Sequence, residues 1–266
     1  MGYANKFRSL DSRKVLTFIL AVGFIWSLMH VQWSQDLVHP GGMQALSQFF
    51  IALLNPDLSI DTLLLAMAGT WTTITYAVTG LCLALIIGIP CGIVASGTLV
   101  YSRGIRWFLI GSTRFLLAFF RSIHELVWAW LFVAAVGLSP IAAVCALGIP
   151  YGGILGRIYS ELLQDVPQPP LTALRTTGAP EWKVFWFGRL PMALPDMLSY
   201  TFYRLECGVR SAAILSFVGL GGLGHRIQMS LDDLAYAQVW TYLFFLISLV
   251  IFVDVWSSLV RRRLTA

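Results

Sequence analysis

The sequence predicts an all-α, polytopic membrane protein with about six transmembrane helices, and three observations carry that prediction. Its 266 residues are 58% apolar and only 12% charged, where soluble domains carry about a quarter charged residues. Thr62 to Ser102 contains no Asp, Glu, Lys, Arg or His, and neither does Leu126 to Gly156. Both exceed the roughly 18 to 20 residues that mark a membrane-crossing helix. Basic residues gather at the ends of apolar runs, so the net charge of +5 reads as membrane topology and not as nucleic-acid binding.

The spans follow in order. Basic Lys6 to Lys14 precedes a first span, about Val15 to Val31. It mimics a signal peptide, but "HVQWSQDL" comes next and offers no small-residue cleavage site, so an uncleaved span is expected. "LVHPGG" and the amphipathic piece Met43 to Leu54 follow, stopped by Asn55-Pro56. The uncharged run from Thr62 would be about 60 Å long as one helix, too long for one crossing. It divides into a surface segment, Asp61 to Gly69, and a second span, Thr70 to Ser96. Thr70, Thr72, Thr73 and Thr75 either line a polar face there or hydrogen-bond between helices.

Arg103 to Phe120, punctuated by Arg103, Arg106 and Arg114, fits a helix along the interface with arginines reaching headgroups. Span three is about Ser122 to Val136, and "GLSP" turns the chain into span four, ending near Leu163. Gly148, Pro150, Gly152, Gly153 and Gly156 stud span four, which predicts close helix packing and a kink. Spans five and six are about Asp196 to Val218 and Tyr236 to Val260.

Lysine and arginine placement sets the orientation. With the N-terminus in the cytoplasm, Lys6, Arg8, Arg13, Lys14, Arg103, Arg106, Arg114, Arg121, Arg175, Lys183, Arg189 and Arg261 to Arg263 all lie inside. The outer segment Gln32 to Asp61 holds no lysine or arginine. The expectation is one transmembrane domain over 1–266, with cytoplasmic segments 1–14, 164–195 and 261–266. No GxxxxGK[ST] occurs, so no nucleotide motor is expected in this chain.

Charges inside spans are costly, at least about 2.5–3.5 kcal/mol near the bilayer centre. Arg204, Glu206 and Arg210 sit in span five. Glu206 and Arg210 are four apart and can pair. Arg204 points elsewhere, toward a second copy or toward a pore where a guanidinium suits an oxyanion. His124 and Glu125 open span three as caps or as lining near a cytoplasmic gate. "GLGGLG", Gly219 to Gly224, fits GxGxxG, yet a membrane helix precedes it where a dinucleotide site needs a strand. Flexible or closely packed backbone at the outer mouth is expected instead. Cys82, Cys91, Cys145 and Cys207 show no CxxC pair and read as small buried residues; no metal site is expected. No nucleophile–base constellation marks an enzyme, and one mid-span acid is few for an ion-coupled transporter.

The remaining segment is "LRTTGAPEWKVFWFGRLPMALP", Leu174 to Pro195. Pro170 to Gly178 reads as a short helix that Gly178 ends sharply. Pro180 can start a second helix, loaded with Trp182, Phe185, Trp186 and Phe187, and Pro191 and Pro195 close it. Such a unit packs under its own bundle or docks in a partner's groove. It resembles the EAA coupling motif of permease subunits of bacterial ATP-binding-cassette (ABC) importers: EAA, three residues, Gly, nine residues, I-x-L-P. Aligned on Gly178, the chain has Thr172-Ala173-Leu174, then Gly188-Arg189-Leu190-Pro191. Thr172 replaces the glutamate, removing its salt bridge to the ATPase, and Gly188 replaces the isoleucine.

"RSIHELVWAWLFVAAVGLSP", "ALRTTGA" and "LSYTFYRLECGVRSAAILSFVGLGGLG" narrow the resemblance to phosphonate importer permeases, phosphite-type systems included. His124 stands where that branch has a proline. The resemblance implies a type I importer permease in the bacterial inner membrane, a homodimeric pore for phosphonate or phosphite, or for phosphate or another small oxyanion. Two copies of a separate ATPase would bind ATP and Mg, docking near Thr172, Ala173, Gly178, Gly188, Leu190 and Pro191. An extracytoplasmic solute-binding protein would deliver the anion. This chain would carry no cofactor and no catalytic residue.

Overall fold

The computed structural model describes residues 6–30, 41–99 and 103–264. Parts of the expected termini (1–5 and 265–266) and of the first outer segment (31–40) lie outside the described residues. The chain falls into two compact units, Met1–Phe50 and Ile51–Ala266. In the first, α1 (Lys6–His30) presents an apolar stretch from Val15 to Met29, and α2 (Gly42–Ala52) begins before the unit boundary.

The second unit consists of helices joined by short turns, with no strand among the described residues. Its core is α3 (Ile60–Ser96) packed along α6 (Pro140–Asp165). The two helices exchange small residues at every turn of contact. A Cβ on Gly80 or Gly92 would sit 2.9 Å from the Cβ of Leu147 or Tyr159, and one on Gly148 or Gly152 would meet Leu83 or Ile87 at 2.7 or 2.9 Å. Where hydrocarbon removes the hydrophobic drive between helices, such close backbone approach is what holds them. The close packing predicted for the span-four glycines is therefore observed.

The division of the second span is corrected. Asp61 to Gly69 is not a separate surface segment; α3 runs unbroken for 37 residues, about 55 Å. Ser59 caps its start by accepting from Thr62 N–H. Thr70, Thr72, Thr73 and Thr75 each donate to the carbonyl four residues back, and Thr73 also accepts from Leu223 N–H, so the hydrogen bond expected between elements is made at Thr73.

α4 (Arg103–Ser122) lies against α3 and α6, and Arg114 departs from the headgroup role by donating to Ala95 O at the end of α3. α4 meets α5 (Glu125–Val136) at an 87° bend. Trp128 clamps that corner, donating to Phe120 O and packing on the Phe119, Phe120 and Phe132 rings. After α6 come α7 (Gln168–Thr176), α8 (Glu181–Val184), a π-helical turn (Phe185–Arg189), α9 (Leu190–Leu215), α10 (Leu223–Asp232) and α11 (Tyr236–Leu264).

Among the described residues four helical stretches are long and apolar enough to cross a membrane: α3, α6, the run from Glu181 to Asp232, and α11. The bent α4–α5 pair makes a fifth if taken as one span, and α1 is a shorter apolar helix. The six expected crossings thus correspond to four clear spans, one bent pair and one shorter helix. All four cysteines are free, but none is buried as expected: Cys82 is exposed and the others half-buried. A thiol behaves as a small apolar group, so facing hydrocarbon costs it little.

Candidate functional site

α7 and α8 form the expected helix–glycine–helix unit. Gly178 adopts φ +82°, and its N–H donates to Arg175 O. Arg175 then grips Glu181 across the bend with Nε and Nη2 at 2.6 and 3.1 Å. Two features tie the unit to the spans. Arg189 is buried and donates to Leu163 O near the end of α6. Gly188 lies under α7: a Cβ there would sit 2.7 Å from Leu174 Cδ1 and 3.0 Å from Leu171 Cδ2. The departure from isoleucine at this position is what lets the α7 leucines pack.

The second helix does not close at Pro191 and Pro195. Leu190 N–H donates to Phe185 O, five residues back, and this wide turn feeds directly into α9. Pro191 occupies the first turn of α9 and Pro195 lies within it. A π turn inserts one extra residue into a helix without ending it. The motif thus becomes one continuous arm. Along it the rings divide: Val184 and Phe185 are buried, while Trp182, Trp186 and Phe187 are 54%, 52% and 74% exposed. Thr172, Ala173 and Pro191 share the exposed side of the loop, and Leu190 is half-buried.

The intramembrane charges separate into two groups. Glu206 is buried and accepts from Arg210 at 2.6 Å, the expected pair, and from Arg261 of α11 at 3.4 Å. Arg261, assigned above to a cytoplasmic tail, is thus the missed member of a triad. The second group links α5, α6 and α9. Tyr151 Oη donates to Ser211 Oγ at 3.0 Å, and Ser211 donates to Glu125 Oε1 at 2.7 Å. His124 caps α5 by accepting from Leu126 N–H, its Nε2 4.0 Å from Glu125 Oε2. Arg204 lies with Cζ 4.9 Å from the Tyr151 ring centre and 5.9 Å from that of Tyr200. Tyr151 and Ser211 were not singled out in the sequence, because nothing in their local pattern separates them from helix-packing residues.

At the opposite end of α9 the glycine loop is closely packed. Leu223 N–H donates to Thr73 Oγ1 at 3.1 Å, and Tyr76 Oη donates to Leu220 O at 2.9 Å. The loop is thus seated by its backbone against α3, the close packing expected there.

An arm with exposed rings, continuous with a bundle of long apolar helices, has a family match. Residues 88–266 match the model of the family described as "Binding-protein-dependent transport system inner membrane component". The chain belongs to this family. HtxE of Stutzerimonas stutzeri, named for a phosphite transport system, is 34% identical over 59% of this chain and 60% of its own length. HtxC of the same organism, named likewise, is 30% identical over 97% of this chain and 88% of its own. The inward-facing MetNI methionine ABC transporter superposes with a TM-score of 0.67, covering 79% of this chain and all of the matched chain at 22% identity. That likeness shows the fold, a type I ABC importer permease. The chain is an inner-membrane transport permease subunit.

Proposed function

We propose that this chain forms, as a homodimer, the translocation pore of an ATP-driven importer for phosphite or phosphonate. Each copy seats its 164–195 loop in a separate ATPase that holds ATP and Mg²⁺, and an extracytoplasmic binding protein delivers the anion. Both termini face the cytoplasm. The chain itself contributes no catalytic residue.

One observation carries the reading: an exposed aromatic knob is built into the same continuous helix as span five. Trp182, Trp186 and Phe187 offer the large, rigid rings that dominate protein interfaces. The π turn and the Arg189–Leu163 link give a push on those rings no slack to dissipate in. Movement of a docked ATPase would therefore be delivered to α9 and to the end of α6. ATP supplies the differential affinity for two states that such coupling requires. The names of HtxE and HtxC support the anion class.

The test is uptake by vesicles containing the permease. Phosphite or phosphonate entry is expected only with ATPase, ATP and binding protein together. Uptake by the permease alone, driven by an ion gradient, would overturn the reading, and a preference for phosphate would correct the substrate.

A further inference from the structure

We infer that Arg204, clamped between Tyr151 and Tyr200, is an oxyanion contact on the translocation path; this rests on the importer reading above. Three arginines of the second unit cluster around α9 and the end of α11, and their states differ. Arg210 and Arg261 share Glu206. Arg204 makes no hydrogen bond or ion pair among the described residues, and its Nε is fully buried without a partner. Glu206 cannot serve it, because residues two apart on a helix face nearly opposite ways. Glu125, the other carboxylate near Tyr151, accepts from Ser211 and lies beside His124.

An unpaired cation within a span is costly, so such groups face a partner, a cavity or a passing ion. Both ring contacts engage the charge of Arg204 and neither is a hydrogen bond to its N–H groups. Two rings therefore hold the group without neutralising it or using its donors. Tyr151 is itself anchored through Ser211 to Glu125, so the clamp joins α5, α6 and α9. A cavity of about 240 Å³ opens beside Tyr200, lined also by Ser199, Tyr203, Asp196 and Arg261. Tyr200, one ring of the clamp, thus borders space that a small solute can enter, although Arg204 and Tyr151 do not line it. A planar fork of N–H donors matches phosphite, phosphonate or phosphate oxygens in pairs. Absence of a fixed counter-ion suits a stepping site, which must release what it binds.

The experiment uses the complete importer in vesicles, with phosphite and methylphosphonate as probes. Arg204→Met is expected to lower uptake by about tenfold or more, the loss expected of a charge-assisted hydrogen bond, while permease, ATPase and binding protein still co-purify. Arg204→Lys, which keeps the charge and loses the fork, is expected to fall between Met and wild type. Wild-type uptake by Arg204→Met would overturn this inference while leaving the importer reading intact. So would loss of assembly in both variants, which would mean that Arg204 pairs with a carboxylate of a second copy. Failure of the wild-type complex to import any oxyanion would overturn the importer reading and this inference with it.

Discussion

Span five has a glycine bend just before its ring-bearing arm and a glycine loop at its other end, and the two differ in what surrounds the glycines. At Gly178 a Cβ would meet nothing within 4 Å, yet φ is +82°. Glycine is needed there for a backbone angle, and the surroundings are open. At Gly224 a Cβ would fall 2.0 Å from Ala213 O, and at Gly222 it would strike Ser216 Oγ and Thr73 Oγ1 at 2.7 and 2.9 Å. There glycine is needed for space, at Gly222 with φ +94° for the backbone angle as well, and the loop is sealed into the bundle. In the importer proposed above, the open bend beside exposed rings is the partner surface and the driven end, and the sealed Gly219–Gly224 loop is the anchored end of the helix that moves as a lever.

Substitutions can break this contrast. The largest effect is expected from Gly178→Pro, whose fixed φ of about −65° cannot supply the bend and which also removes the N–H bonded to Arg175 O. ATPase association should be abolished while membrane insertion is unchanged, as read by co-purification; normal co-purification would count against the docking role. Next is Gly224→Ala. Backbone lies in the way of the new methyl, so the permease should lose about 3 kcal/mol and unfold earlier in detergent melts. Gly178→Ala, by comparison, should cost only about 1–2 kcal/mol of local strain and leave the melt of the bundle nearly unchanged. Equal sensitivity at the two sites would erase the distinction.

Smaller still is Thr73→Val, which orphans the buried Leu223 N–H. A loss of about 1 kcal/mol is expected, since a buried donor without an acceptor loses its solvation. The smallest effect concerns the start of α3. Asp57 accepts from Ser59 N–H at 2.9 Å and Thr62 Oγ1 at 2.7 Å, and these donors, the Ser59 N–H first, hold its carboxyl below the usual carboxylate value. With the folded value depressed, the stabilisation is full above the unfolded value and is lost as pH falls through the folded one. Melting temperature should therefore decline in acid, and Asp57→Asn should flatten that decline. An unchanged acid slope in the variant would remove Asp57 from the account.

What the sequence disclosed depended on how local each cause was. The helix–glycine–helix bend was legible because its determinants, Gly178, Pro180 and the ring cluster, lie within a dozen residues. The Glu206–Arg210 pair was legible for the same reason, being one helical turn apart. Arg261 joins Glu206 across 55 residues of chain, and only the approach of α11 to α9 brings them together. The Tyr151–Ser211–Glu125 chain likewise spans three helices. The division of the second span failed because bilayer thickness limits the part of a helix in hydrocarbon and not the helix itself. The closure expected at Pro191 failed because a proline in the first turn lacks only an N–H that such a position does not require.

The central claim is that the exposed rings at the start of the span-five arm sit against a nucleotide-driven subunit. The direct measurement is photo-cross-linking from a probe placed at Phe187, and separately at Ile214 in the membrane part of the same helix, in the assembled importer. The account predicts an ATPase adduct from position 187, altered in yield between ATP-bound and ATP-free states, and none from position 214. No ATPase adduct from position 187, in a complex that still imports, would contradict it.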